Sequence, residues 1–260
     1  MNFLTVLGCE FRKLRRTKVL PVLGGLYMIA PPMLCLMMAA LRDPELGSRL
    51  GLLTTKAELT IGAVDWATYL GFVGFFFVGG IIVTGIAQAY VFGREYVEGT
   101  AKNMLTLPVP RARFIIAKLI VTAVWFCGLA LVLLGESLVL GFLIRLEGFS
   151  RELFFSSLGR LGLLLIQVLC LSAVPAWLAV VTRGFIAPLG LSVFLLLLGD
   201  FFAHTVWGVW FPWSIVMLSA GAGGPGSARP GAASLAVLLL TLAAGTAAAW
   251  FSLDRMDNTQ

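Results

Sequence analysis

Charge is scarce in this sequence. Only 12% of its 260 residues are Asp, Glu, Lys or Arg, about half of what a soluble domain carries. With 59% hydrophobic residues and a mean hydropathy of +0.96, the chain cannot cover a water-facing surface, and a soluble domain is excluded. Histidine occurs once, as His204. There is no His-Glu-x-x-His and no Gly-x-Ser-x-Gly, so nothing supports a metalloprotease or a serine hydrolase within the membrane. No glycine-rich loop leads into Gly-Lys-Ser or Gly-Lys-Thr; the chain should bind no cofactor of its own, and ATP and magnesium would sit on a partner. The four cysteines form no Cys-x-x-Cys, and three of them, Cys35, Cys127 and Cys170, fall in apolar runs. They read as small buried hydrophobes rather than as disulfides or metal ligands. The net charge of +6 does not point to nucleic acid, because the basic residues are not interleaved with stacking aromatics on a soluble face.

What the chain has instead is apolar length. Runs of roughly 20 residues, enough to cross hydrocarbon, lie near Val19–Leu41, Trp66–Phe92, Phe114–Ile144, Leu158–Val181, Phe185–Ala203 and Ala232–Phe251. The third is longer than a span requires and should tilt or project. Twelve of the nineteen Lys and Arg fall on one side of this pattern: Arg12, Lys13, Arg15, Arg16 and Lys18 before the first run, Arg94, Lys102, Arg111, Arg113 and Lys118 around the second–third loop, then Arg183 and Arg255. Positive loops face the cytoplasm, so both termini are expected there, in a bacterial plasma membrane.

Residues 1–18 do not form a span and do not read as a removable signal peptide. Phe3, Leu4, Leu7, Phe11 and Leu14 recur at helical steps, while Glu10, Arg12, Lys13, Arg15 and Arg16 fill the remaining surface. This predicts an interfacial amphipathic helix that anionic lipid would attract, with Leu7, Phe11, Arg12 and Arg15 as its contact residues. Pro21 and the Pro31-Pro32 pair should break or kink the first span. Residues 42–65 form a polar outer loop. The segment 205–222 is apolar but interrupted by Gly208 and Pro212, with tryptophans at 207, 210 and 213; it is expected to be a half-inserted, re-entrant hairpin on the outer side. The fold class predicted is therefore an all-α membrane protein in a single domain, with six transmembrane helices and no internal repeat.

A few polar residues interrupt the spans. Glu136 in the third is costly in lipid; it is either a contact on the translocation path or a carboxylate near the outer end bonded to a neighbouring helix. Gln88 in the second span either lines that path or bridges helices. Asp200 and His204 stand one helical turn apart, too few ligands for a closed metal site. Gly71, Gly74, Gly79, Gly80 and Gly85 run down the second span, and Gly245 with Ala249 mark the sixth. Such small residues allow close helix contact, within one protomer or with a second copy.

The most informative block is Phe92-Gly93-Arg94-Glu95-Tyr96-Val97-Glu98-Gly99-Thr100-Ala101-Lys102-Asn103-Met104-Leu105-Thr106-Leu107-Pro108. From Val97, apolar side chains recur at Ala101, Met104 and Leu105, the stripe of a short helix. Glu95 and Glu98 favour its first turn and Lys102 follows four residues after Glu98. A cytoplasmic helix over residues 93–108 is predicted, too short to cross a bilayer.

With Arg111 and Lys118 beyond it, this block resembles the signature of ATP-binding-cassette permeases of the second exporter type, above all those for bacitracin resistance and lantibiotic immunity. The resemblance implies that the block is the coupling helix that docks on an ATPase, through Glu95, Glu98, Gly99, Thr100 and Leu105. It also implies that the leader helix, Leu7 to Arg16, lies beside that ATPase, that residues 205–218 are re-entrant, and that the working unit joins two ATPases to two permeases (two copies or this chain and a sister). The short first outer loop argues against permeases with a large extracellular domain. The chain itself would not be an enzyme. Its cargo is expected to be a peptide antibiotic or similar amphipathic compound. The alternatives are another cargo (lipid, polysaccharide, ion) or an ion-coupled carrier using Glu136.

Overall fold

Six helical stretches among the described residues are long and apolar enough to cross a membrane: 19–42, 66–97, 111–143, 151–182, 186–203 and 232–255. A helix satisfies its backbone internally, the condition hydrocarbon imposes on a spanning segment. The computed structural model describes residues 2–43, 64–100, 110–224 and 226–255, and within these the chain is an all-α, multi-pass membrane protein.

The leader is α1 (Phe3–Arg16). Lys13, Arg15 and Arg16 fill its last turn, where cations suit the partial negative charge of a helix C-terminus. The first span is broken into α2 (Val19–Tyr27) and α3 (Ala30–Arg42). The break precedes Pro31-Pro32, which lack the amide hydrogens an unbroken helix would use, and the Tyr27 hydroxyl there donates to the Phe76 carbonyl at 2.5 Å.

The second span, α4 (Trp66–Val97), starts where the Asp65 carboxylate accepts from the Thr68 amide at 2.8 Å, a side-chain N-cap. It continues to Val97 rather than stopping near Phe92, and the chain leaves it at Gly99, whose φ of +69° favours glycine. Residues 93–97, expected to open a separate short helix, are thus its last turns. Gly93 passes so close to the 183–185 turn that an added Cβ would lie 2.8 Å from Phe185 and 3.0 Å from the Gly184 carbonyl, and the helix here is held by packing. Residues 101–109, with Leu105, lie outside the described residues, as does most of the first outer loop.

The third span, α5 (Arg111–Leu143), has 33 residues. At 1.5 Å per residue it spans about 50 Å, well beyond a hydrocarbon core of about 30 Å. The fourth is interrupted: α6 (Arg151–Leu171) and α7 (Ala173–Thr182) meet at Ser172, three residues before Pro175, whose ring crowds the carbonyl four residues back. The fifth is α8 (Ile186–Ala203). Turns then lead to a short helix, α9 (Pro212–Ala220), and the last span is α10 (Ala232–Arg255).

The second and fourth spans form the centre, with 61% of their most apolar windows buried, against 22% for the fifth and sixth. The main core gathers Val73, Phe77, Phe126, Leu133, Leu164 and Val168. The small residues of the second span serve this packing. A Cβ on Gly80 would meet the Phe126 ring at 2.5 Å, and Gly85 abuts Ser192. A Cβ on Gly245 of the sixth span would lie 2.9 Å from Ala173. Close approach is therefore used within one protomer at these positions.

Candidate functional site

At the leader end of the bundle, four charged side chains from three helices close a ring. Glu10 and Lys13 come from α1, Glu95 from the last turn of α4, and Lys118 from the third turn of α5. The Lys13 ammonium donates to Glu10 at 2.6 Å and to Glu95 at 2.8 Å. Lys118 lies 3.0 Å from Glu95 and 3.5 Å from Glu10, and it donates to the Val91 carbonyl at 2.9 Å. Signs alternate around the ring and the net charge is zero. Three of its members are almost fully buried: side-chain exposure is 3% for Glu10, 6% for Glu95 and 3% for Lys118, against 41% for Lys13. Ions removed from water need such partners.

Burial alone would depress the Lys13 ammonium, but the Glu95 charge and the hydrogen bonds to Glu10 and Glu95 hold it above the ordinary lysine range. A cavity of about 10 Å³, lined by Phe92, Tyr96, Glu95 and Lys118 among others, adjoins the ring and has room for about one water.

This arrangement revises two sequence-based readings. Glu10, placed on the polar face of the leader, points inward because Lys13 and Lys118 neutralise it. Glu95, placed on a docking face, is buried for the same reason. Among the described residues of that block, Val97, Glu98, Gly99 and Thr100 are exposed, and the Thr100 hydroxyl donates back to the Glu95 carbonyl at 3.4 Å. On α1, Val6 packs against Phe114 and Ala117, with Phe3 and Leu7 beside it. Phe11 is half-buried, whereas Arg12 and Arg15 are exposed.

Gln88 is buried at 1% exposure. Its amide donates to the Thr122 hydroxyl at 2.8 Å and to the Ser172 hydroxyl at 3.4 Å, bridging the second, third and fourth spans where the fourth is broken. Glu136 is half-buried and its Oε2 has no hydrogen-bond partner among the described residues. Asp200 and His204 are exposed at the end opposite the leader. No group of three or more His, Cys, Asp or Glu that could hold a metal occurs among the described residues.

Sequence reading missed a further pattern, arginines that cap helix C-termini from elsewhere in the chain. Arg42 donates to the carbonyls of Ile144 and Arg145 at 2.9 and 2.8 Å, at the end of α5. Arg111 donates to those of Leu253 and Asp254 at the end of α10. Arg160, inside the fourth span, reaches Ser219 and Ala220 at the end of α9. Each places a cation on unpaired carbonyls at the negative end of a helix. The one advance signal was a cation inside an apolar run: Arg160 and Lys118 both stand where an uncompensated charge is costly.

The comparisons agree with this architecture. Residues 6–199 match the model of the ABC-2 family transporter proteins. The bacitracin transport permease protein BCRB of Bacillus licheniformis is 24% identical over 141 residues, covering 54% of this chain and 68% of that protein. No solved structure matches. The matched region takes in the leader from Val6, the charge ring and the first four spans, and most of the fifth. The chain belongs to the ABC-2 family of transporter proteins as a membrane subunit, with ATP hydrolysis on a separate subunit.

Proposed function

We propose that the chain is the permease of an ATP-driven exporter that moves a peptide antibiotic or similar amphipathic compound out of the cell or its membrane. The carrying observation is the state of Glu98, Gly99 and Thr100: they are exposed, immediately after a buried span, on the same end as the basic leader. The positive loops favour the cytoplasm for that end, where an ATPase could bear on it. The similarity to a bacitracin transport permease supports an amphipathic cargo.

Two permeases, either two copies or this chain and a sister, would join two ATPases. Closure of the ATPases on ATP would displace the Glu98–Thr100 segments, and the spans would rearrange as rigid pieces to open an outward path. Segment 205–222, with α9 at its core, would sit re-entrant on the outer side. The leader's exposed Arg12 and Arg15 would face lipid headgroups or the ATPase.

Capture of the tagged full-length chain from its host tests this reading. A stoichiometric ATP-binding-cassette ATPase should accompany the chain, and Glu98→Lys should reduce its recovery while the permease stays folded. Undiminished recovery with Glu98→Lys would remove Glu98 from the docking surface, and absence of any ATPase would sink the exporter. The Glu136 oxygen that has no partner among the described residues favours one second reading, an ion-coupled carrier. Transport would then persist without an ATPase and collapse in Glu136→Gln.

A further inference from the structure

The charge ring ties together three stretches of chain, and two of them border the same exposed segment. Glu95 lies three residues before Glu98, and Lys118 sits on the helix that receives the chain after that segment. The third stretch is the leader, which contributes Glu10 and Lys13. Its apolar hold on the bundle is centred on Val6 against Phe114 and Ala117, with Leu14 packed against a second cluster.

Glu95 cannot move alone. Its carboxylate is buried, and its charge is balanced by Lys13 at 2.8 Å and Lys118 at 3.0 Å. Separation from Lys118 would leave this buried carboxylate facing only the half-exposed Lys13, and separation from Lys13 would break its 2.8 Å hydrogen bond. A displacement that begins at Glu98–Thr100 therefore reaches α1 and the start of α5 together.

We infer that Glu10 and Lys13 are positioning residues for ATPase coupling: through the ring, the leader helix sets the angle at which the Glu98–Thr100 segment leaves the second span, and moves with it as one piece. This rests on the coupling role proposed above. It makes the leader a mechanical part of the transmission in addition to any contact it has with lipid.

The test removes the leader's charges without unbalancing the spans. Lys13→Met/Glu10→Gln leaves Glu95 and Lys118 as a neutral pair, and Lys13→Arg is the conservative control. Leader docking is read in a background where Cys9, Cys35, Cys127 and Cys170 are serine, by maleimide labelling of Val6→Cys, a position 2% exposed. Coupling is read as ATP hydrolysis per captured complex in liposomes, using the full-length chain with the ATPase it captures.

The double variant should label severalfold faster and lose about tenfold in hydrolysis rate, within the usual span of coupling energies. Loss of ATPase capture would support the inference equally. Lys13→Arg should keep both properties. A released leader with undiminished capture and hydrolysis would overturn the inference, and so would a leader that stays protected without its charges. Failure of the unsubstituted chain to capture any ATPase would instead sink the proposed function, and is scored before any variant is compared.

Discussion

Replacing Lys118 with methionine isolates the energetic demand of the ring. The substitution keeps an unbranched apolar stem but deletes a cation held 3.0 Å from Glu95, 3.5 Å from Glu10 and 2.9 Å from the Val91 carbonyl. What remains is two buried carboxylates facing one lysine, itself 41% exposed. Removing one partner of a buried ion pair costs about 3–5 kcal/mol. The lost bond to Val91 adds less, because that carbonyl can still accept from its own helix; about 1 kcal/mol is the scale. Uptake of a proton by one carboxylate would cap the total, so about 4 kcal/mol is expected. Lys13→Met also leaves two buried carboxylates with one cation, but water can reach the place of its half-exposed ammonium, so the cost should be smaller than for Lys118→Met. Unfolding of the detergent-purified protein, followed by helicity against added denaturant, measures both. Glu95→Gln/Lys118→Met should be at least about 2 kcal/mol more stable than the sum of its single variants predicts, the mark of groups that act together. The reasoning is refuted if Lys118→Met is no worse than Lys13→Met, or if the double variant is additive.

Further consequences can be measured separately. Arg160→Ala strips the cap from the end of α9 and should cost about 1–3 kcal/mol; hydrogen exchange should quicken over residues 212–220 and stay unchanged in the second span. Gly80→Ala forces a methyl against Phe126 and should destabilise by about 1–3 kcal/mol, with Phe126→Leu relieving part of it in the double variant; equal stability of Gly80→Ala and the unsubstituted chain would refute the contact. The Lys13 ammonium is held above the ordinary lysine value in the folded state. Its contribution should therefore be complete at neutral pH and fade only as pH rises through and beyond the lysine range. Maleimide protection at Val6→Cys, followed from neutral to alkaline pH, should weaken only at the alkaline end, and weakening already near neutrality would contradict the assignment.

The spans were legible because hydrocarbon imposes a length and an absence of charge that six runs meet. The break in the first span was legible too, in Pro31-Pro32. The break in the fourth left a similar mark in Pro175, but a lone proline within a long apolar run does not say whether a helix kinks or ends. The candidate site was only partly legible. Periodicity placed Glu10 with Arg12, Arg15 and Arg16 on a polar face, because a helical wheel shows what lies beside a residue and not what lies across from it. Glu10 turns inward because of Lys118, more than a hundred positions away in the chain. Glu95 was placed on a docking face for the same reason: its two cationic partners, on α1 and α5, are remote in sequence. Of the line of glycines, Gly80 and Gly85 are points of close approach, whereas a Cβ on Gly71 would meet nothing within 4 Å. Which helix approaches depends on Phe126 and Ser192, which no local pattern links to those glycines.

Order of synthesis gives the ring one more meaning. Glu10, Lys13 and Glu95 all precede Lys118, so a nascent chain has already delivered both carboxylates and the first lysine before the last cation emerges. An ammonium buried near the start of the third helix without its carboxylate partners would be an uncompensated charge and correspondingly costly. Here it arrives at a prepared acceptor, one lysine short of neutrality, formed by the leader and the second helix. Settling of the third helix is thereby conditional on the two pieces made before it, and a chain that emerged with its leader cut away would meet that penalty with half of the acceptor missing.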